Sequence, residues 1–146
     1  MNSKRGYFGI GIYHTKTEAN VGTLWRSAHN FGASFIFTIG KRYKKQSSDT
    51  TKAWKSIPLF HYVDFNDFKN KIPYDCLVIA IEQSETSKSI STFEHPERAI
   101  YILGAEDHGI PANILKDCCS VVHIDTPICL NVAVAGSIVM FDRCSK

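Results

Sequence analysis

Six apolar runs of strand length constrain this chain more than any other feature. Tyr7–Tyr13, Phe35–Ile39, Leu59–Val63, Cys76–Ile81, Ala99–Leu103 and Val121–Ile124 are rich in β-branched and aromatic residues, and several are nearly continuous. A strand covered on one face alternates apolar and polar side chains, whereas a continuous run belongs to a strand covered on both. Helical patterns lie between the runs. Val21, Leu24, Trp25, Ala28 and Phe31 fall at the i, i+3, i+4, i+7, i+10 positions of an amphipathic helix ending near Gly32, with Arg26 and Asn30 off that stripe. Pro111 suits the first turn of a short helix running toward Cys118, and a last helix is expected from about Asn131 to near Arg143. Strands alternating with helices predict an α/β domain with a mostly parallel sheet flanked by helices. At 146 residues, with no repeat or linker, residues 1–146 are read as one domain.

Several function classes drop out. With 44% hydrophobic and 21% charged residues the chain has the composition of a folded globular protein. The apolar stretch Val132–Phe141 is broken by Gly136 and Ser137 and is about half the length that crosses a bilayer, so no membrane span is expected. Lys4 and Arg5 precede Tyr7–Tyr13, but no small-residue cleavage site follows, and the run reads as a first strand. Cys76, Cys118, Cys119, Cys129 and Cys144 are odd in number and form no CxxC pair, which speaks for structural thiols in a reducing cytoplasm. The histidines are scattered without metal-ligand spacing, so no metal is expected. Gly9-Ile10-Gly11 lacks the third glycine of a dinucleotide fingerprint, because position 14 is His14.

Charge is concentrated. The net charge of +3 comprises a local +5 between Lys41 and Lys55, from Lys41, Arg42, Lys44, Lys45, Lys52 and Lys55 against Asp49, with Tyr43 and Trp54 in the same stretch. Cations that meet phosphates, interleaved with aromatics that stack on bases, suit a single-stranded RNA contact. A solvated lysine-rich loop is the plain alternative.

Three segments carry chemistry. Asn20-Val21-Gly22-Thr23-Leu24-Trp25-Arg26 opens the first helix; taken locally, Asn20 is a natural N-cap and Arg26 a surface cation. Leu103-Gly104-Ala105-Glu106-Asp107-His108-Gly109-Ile110-Pro111 follows a buried strand, at the end of a parallel sheet where ligands bind. Taken locally, Glu106 caps the following helix. Ile124-Asp125-Thr126-Pro127-Ile128-Cys129-Leu130-Asn131 leads into a helix with Ala133, Ala135 and Gly136, small residues that permit close packing.

In this order, the three segments resemble the three motifs of the SpoU or TrmH branch of SPOUT methyltransferases, which methylate ribose 2′-hydroxyls of RNA; the resemblance spans Asn20 to Asp142. It implies a sheet with a deep C-terminal trefoil knot, an exception to the rule against knots. It further implies that loops after Ile81, Leu103 and Ile124 cradle S-adenosylmethionine, lined by Ile81, Glu82, Gly104, Ile124, Cys129 and Leu130. By the same resemblance, Arg26 activates the 2′-hydroxyl, while Asn20, Glu106 and Asn131 hold Arg26 and the RNA. A guanidinium stays protonated, so Arg26 is read as gripping a phosphate and acting electrostatically, with proton removal left to water. A homodimer is implied through the first and last helices, leaving Trp25 and Met140 partly intersubunit.

Two departures from the motif stand out. Cys129 replaces a serine, and a thiol hydrogen-bonds more weakly than a hydroxyl. The turn from Ile124 to Leu130 is short, with Thr126-Pro127 where the family has Pro-Met. The chain resembles the minimal members that act on tRNA. Competing readings are methylation of ribosomal RNA or of a base, and a non-catalytic RNA-binding scaffold with the same fold.

Overall fold

The computed structural model describes residues 6–42 and 56–146. Seven strands form one all-parallel sheet: β1 (Tyr7–Tyr13), β2 (Phe35–Ile39), β3 (Leu59–Tyr62), β4 (Leu77–Ile81), β5 (Lys88–Ser89), β6 (Arg98–Gly104) and β7 (Ser120–His123), in the order β3-β2-β1-β6-β4-β7-β5. The helices are α1 (Glu18–Phe31), α2 (Phe65–Lys71), α3 (Ala112–Leu115) and α4 (Val132–Ser145). Each of the six apolar runs forms a strand, with bounds shifted by a residue or so.

Two apolar layers explain the continuous runs. On one face Phe8, Ile10 and Ile12 pack with Leu24, Trp25 and Ala28 of α1 and Val139 and Met140 of α4. On the other, Phe35, Phe37 and Ile39 pack with Phe65 and Phe68 of α2 and Ile114 of α3. Gly9 and Gly11 serve this second face. A Cβ on either would collide with the ring of Phe35 or Phe37, so glycine there seats two aromatic rings across the strand.

Elements missed by periodicity have local explanations. Asp64 caps α2, accepting from the Asp67 N–H at 2.8 Å, while the Asp67 carboxylate accepts from the Val63 N–H at 2.9 Å. That reciprocal cap was readable as Asp-x-x-Asp. β5 has only two residues and presents no period to read. α3 is shorter than the expected run to Cys118, ending at Leu115.

α1 begins earlier than expected. Its N-cap is Thr17, and Asn20 lies inside the first turn, so the local reading of Asn20 as the cap is corrected. α1 and α4 lie against each other, with the Ser27 and Ser137 hydroxyls 2.9 Å apart. Gly136 is what lets α4 sit so close: an added Cβ would fall 2.5 Å from Leu24 Cδ1 and 2.9 Å from Leu103 Cδ1. Met140 is fully buried and Trp25 only 8% exposed within a single chain, which corrects the expectation that they are shared between subunits. All five cysteines are free thiols. No helix of the described residues is long and apolar enough to cross a membrane.

Candidate active site at the carboxyl edge of the sheet

Parallel strands place all their carboxyl ends on one edge, and there the three segments meet. Asn20 enters from α1, Glu106 from the loop after β6, and Asn131 as the N-cap of α4. Asn20 Nδ2 donates to Glu106 Oε1 at 2.6 Å, and Asn131 Nδ2 donates to Asn20 Oδ1 at 3.0 Å and lies 3.5 Å from Glu106 Oε1. Asn131 also caps α4 in full, its Oδ1 accepting from the N–H of Ala133 at 2.9 Å and of Val134 at 3.2 Å. Glu106 therefore reaches across the edge and does not cap α3, whose N-cap is Pro111 without a side-chain bond.

Arg26 is half-buried on α1. Six residues beyond Asn20, it is turned about 120° from Asn20 around the helix axis. The hydrogen bonds of Asn20, Glu106 and Asn131 join those three to one another, and Arg26 stands on the neighbouring flank.

The loop carrying Glu106 is tightly folded. Ala105 and Gly109 form an antiparallel bridge, with the Gly109 N–H donating to Ala105 O at 3.0 Å. Gly109 has φ 60°, and a Cβ on Gly104 would meet the Gly109 backbone at 2.8 Å, so both glycines are required by close approach. Glu82, just after β4, braces this loop: its Oε2 accepts from the Ile110 N–H at 2.9 Å, and its Oε1 from the Gln83 N–H at 3.1 Å. Both oxygens of Glu82 are thus engaged by backbone.

β6, β4 and β7 are adjacent, with Ile81 in register with Leu103 on one side and Val122 on the other. Hence the loops after Ile81, Leu103 and His123 emerge side by side. Ile81 is 9% exposed; Glu82, Gly104, Ile124 and Leu130 are half-buried, and Cys129 is exposed. Apolar side chains beside free loop backbone suit a flat heterocycle with a polar edge. A cleft of about 750 Å³, lined by Gly6, Phe93, His95, Glu97, Arg143 and Lys146, opens at the opposite end of the strands, away from the trio.

Of the basic segment, Lys41 and Arg42 are exposed just past β2, on the same edge as the trio, and the Lys41 ammonium donates to Lys16 O at 3.1 Å. Lys44, Lys45, Lys52 and Lys55 lie outside the described residues. Lys16 in turn pairs with Asp107, one residue from Glu106. Asp107 holds the Lys16 ammonium above its usual range by a hydrogen bond, and Lys16 lowers the Asp107 carboxyl in return. No motif in the sequence marks this pair. Among the described residues no group of three His, Cys, Asp or Glu side chains could hold a metal ion.

Residues 8–141 match the family described as the SpoU rRNA Methylase family. The chain belongs to that family. Among its relatives is the tRNA (guanosine(18)-2′-O)-methyltransferase TARBP1 of Mus musculus, 26% identical over 134 residues, covering 84% of this chain and 8% of that protein. The chain thus spans less than a tenth of that curated relative's length. The fold of the SpoU domain recurs in solved structures. One, described as giving insight into 2-OH methylation of C/U34 on tRNA, superposes with a TM-score of 0.79 at 20% identity, over 95% of each chain. AviRb from Streptomyces viridochromogenes, in complex with AdoMet, gives 0.84 at 16% identity, over 95% of this chain and 57% of the other. An AdoMet-bound rRNA methyltransferase from Sinorhizobium meliloti gives 0.78 at 22% identity, over 98% and 57%.

Proposed function

We propose that this protein is an S-adenosylmethionine-dependent RNA methyltransferase that modifies a ribose 2′-hydroxyl, with tRNA as substrate. The observation that carries the reading is the Asn20–Glu106–Asn131 trio. Three segments far apart in sequence deliver three polar side chains to one edge, bonded to one another, beside the loops that suit the cofactor.

The residues present fit S-adenosylmethionine. Ile81, Ile124 and Leu130 offer apolar surface to the adenine, Glu82 and Gly104 set the spacing of the walls, and Cys129 contributes an exposed thiol. When bound, the cofactor supplies an electrophilic methyl on a sulfonium. The chain must then hold a ribose oxygen in line with it and exclude competing water. Glu106 and the two asparagines form a rigid floor. Arg26, on the adjoining flank of α1, grips the phosphate of the reacting nucleotide and stabilises charge developing on the oxygen, while the hydroxyl proton leaves to water. Lys41 and Arg42 lead from this edge into the basic segment, which follows the RNA backbone.

The same reading includes a homodimer. Val134 is 46% and Phe141 60% exposed, one above the other on the outer face of α4, and Phe31 of α1 adjoins Phe141 with ring centroids 6.5 Å apart. Such an apolar strip spanning α1 and α4 suits a second copy. It also includes the trefoil knot, favoured by the return of the chain from β7, beyond β4, to seat α4 against α1, and a reducing cytoplasm, favoured by the five free thiols.

The test is transfer of labelled methyl from S-adenosylmethionine to unmodified tRNA and to ribosomal RNA, with identification of the labelled nucleoside, for the wild type and Arg26→Ala. A 2′-O-methylated tRNA nucleoside, reduced at least a hundredfold in the variant, is expected. Label in a base overturns the ribose assignment, and label in ribosomal RNA alone overturns the substrate. Cofactor binding without transfer to either RNA overturns the enzyme reading in favour of a scaffold.

A further inference from the structure

Beyond the trio, a second polar chain crosses the carboxyl edge where the loops after β4 and β7 run side by side. The Ser87 hydroxyl donates to Ser84 O at 2.7 Å and accepts from the Ser84 N–H at 3.1 Å. Ser87 Oγ also lies 2.8 Å from His123 Nδ1, and His123 Nε2 lies 2.9 Å from Asp125 Oδ1. The other oxygen of Asp125 accepts from the Ser89 hydroxyl, at the end of β5. Ser, His and Asp in a line suggest a hydrolytic triad, but the Ser87 hydroxyl donates to the Ser84 carbonyl and its oxygen accepts from the Ser84 N–H. A nucleophile needs that oxygen free.

An ionised Asp125 accepts only, so His123 Nε2 donates to it, and the ring links Ser87 to Asp125 through its two nitrogens. Asp125 is suited to this partnership, since the Ser89 hydroxyl, and after it His123, hold its carboxyl below the usual range. Other charged groups on the surrounding elements are Lys88 on β5 and Glu85 in the loop after β4, both exposed.

We propose that His123 is a positioning residue that clamps the loop after β4 to the turn after β7 and so sets the width of the cofactor cradle. Ser87 lies five residues beyond Glu82, and Asp125 is next to Ile124. The clamp therefore holds the outer side of two cradle walls, as Glu82 holds the inner side by bracing the loop after β6. Losing the ring leaves both of its bonds unmade and loosens the cradle. The role in cofactor binding rests on the function proposed above; the clamp itself does not.

The test combines two readouts. Amide exchange over residues 84–89 should quicken in His123→Gln and Ser87→Ala. KM for S-adenosylmethionine should rise about tenfold in both variants, with kcat and the KM for RNA unchanged. Thr86→Ala, which trims a hydroxyl 3.5 Å from Ser84 Oγ outside the clamp, should match the wild type in every readout. Unchanged exchange in both variants overturns the clamp. Unchanged KM with quickened exchange overturns its role in the cradle. A wild type that binds no S-adenosylmethionine overturns the proposed function, and the exchange rates still decide the clamp.

Discussion

Asn131 does two jobs with one amide, and substitution can separate them. Its oxygen caps α4 through Ala133 and Val134, and its nitrogen donates to Asn20. Asn131→Ala removes both. Loss of the cap costs about 1 kcal/mol, and leaving Asn20 Oδ1 without its donor costs about 1 kcal/mol more, because Asn20 is only 8% exposed. The expected total of about 2 kcal/mol corresponds to a fall in Tm of roughly 6 °C for a domain of this size. Asn131→Asp keeps the cap but cannot donate, and it places a second carboxylate beside Glu106 Oε1, 3.5 Å from the amide it replaces. Two carboxylates so close push one carboxyl above its unfolded range. The folded variant then binds more protons than the unfolded chain, so its stability falls as pH rises through the raised value and recovers in acid. Thermal melts from about pH 4 to about pH 8 measure this: Asn131→Asp should match the alanine variant at neutral pH and approach the wild type at acid pH. Both variants should lose methyl transfer. A drop in Tm below about 2 °C for alanine, or a pH-independent gap between aspartate and wild type, would refute the bonded trio.

Two further outcomes follow from other parts of the fold. His95 is buried between Tyr101 Oη at 2.7 Å and Asp142 at 2.6 Å, and burial lowers its value against the opposing pull of Asp142, with Arg143 and Lys146 lowering it further. The unfolded chain then takes up the proton first, so stability is full above about pH 6.5 and declines as pH falls toward the depressed value; His95→Gln should flatten that decline in chemical denaturation between about pH 5 and about pH 7. Phe141→Asp adds charge to a side chain already 60% exposed, so it should leave the monomer fold intact while, for the homodimer proposed above, light scattering shifts from dimer to monomer mass; a wild type of monomer mass would overturn the dimer, and an unchanged dimer would remove α4 from its interface.

Sequence and structure diverge where a polar side chain chooses between a near partner and a far one. The sheet was legible because burial on both faces leaves a continuous apolar run, a property of each strand by itself. The basic loop and the three motifs were legible as strings. The local reading of Asn20 as a cap failed because its residue type favours one, and nothing near it in sequence reports that Glu106, 86 residues away, takes its amide. The local reading of Glu106 as a cap failed for the mirror reason, whereas the resemblance had grouped both with Asn131. Gly9 and Gly11 had meaning only once β2 lay beside β1 and its rings needed room. The last helix was expected from about Asn131, and there two demands coincide: the side chain that caps α4 through its oxygen also aims its nitrogen at Asn20. The clamp at His123 lies at the other extreme, since Ser87 is 36 residues away and serines are common in loops. A site of this kind is thus assembled from choices that local propensity leaves open, and the parallel sheet decides them by bringing the carboxyl ends of β6, β4 and β7 together.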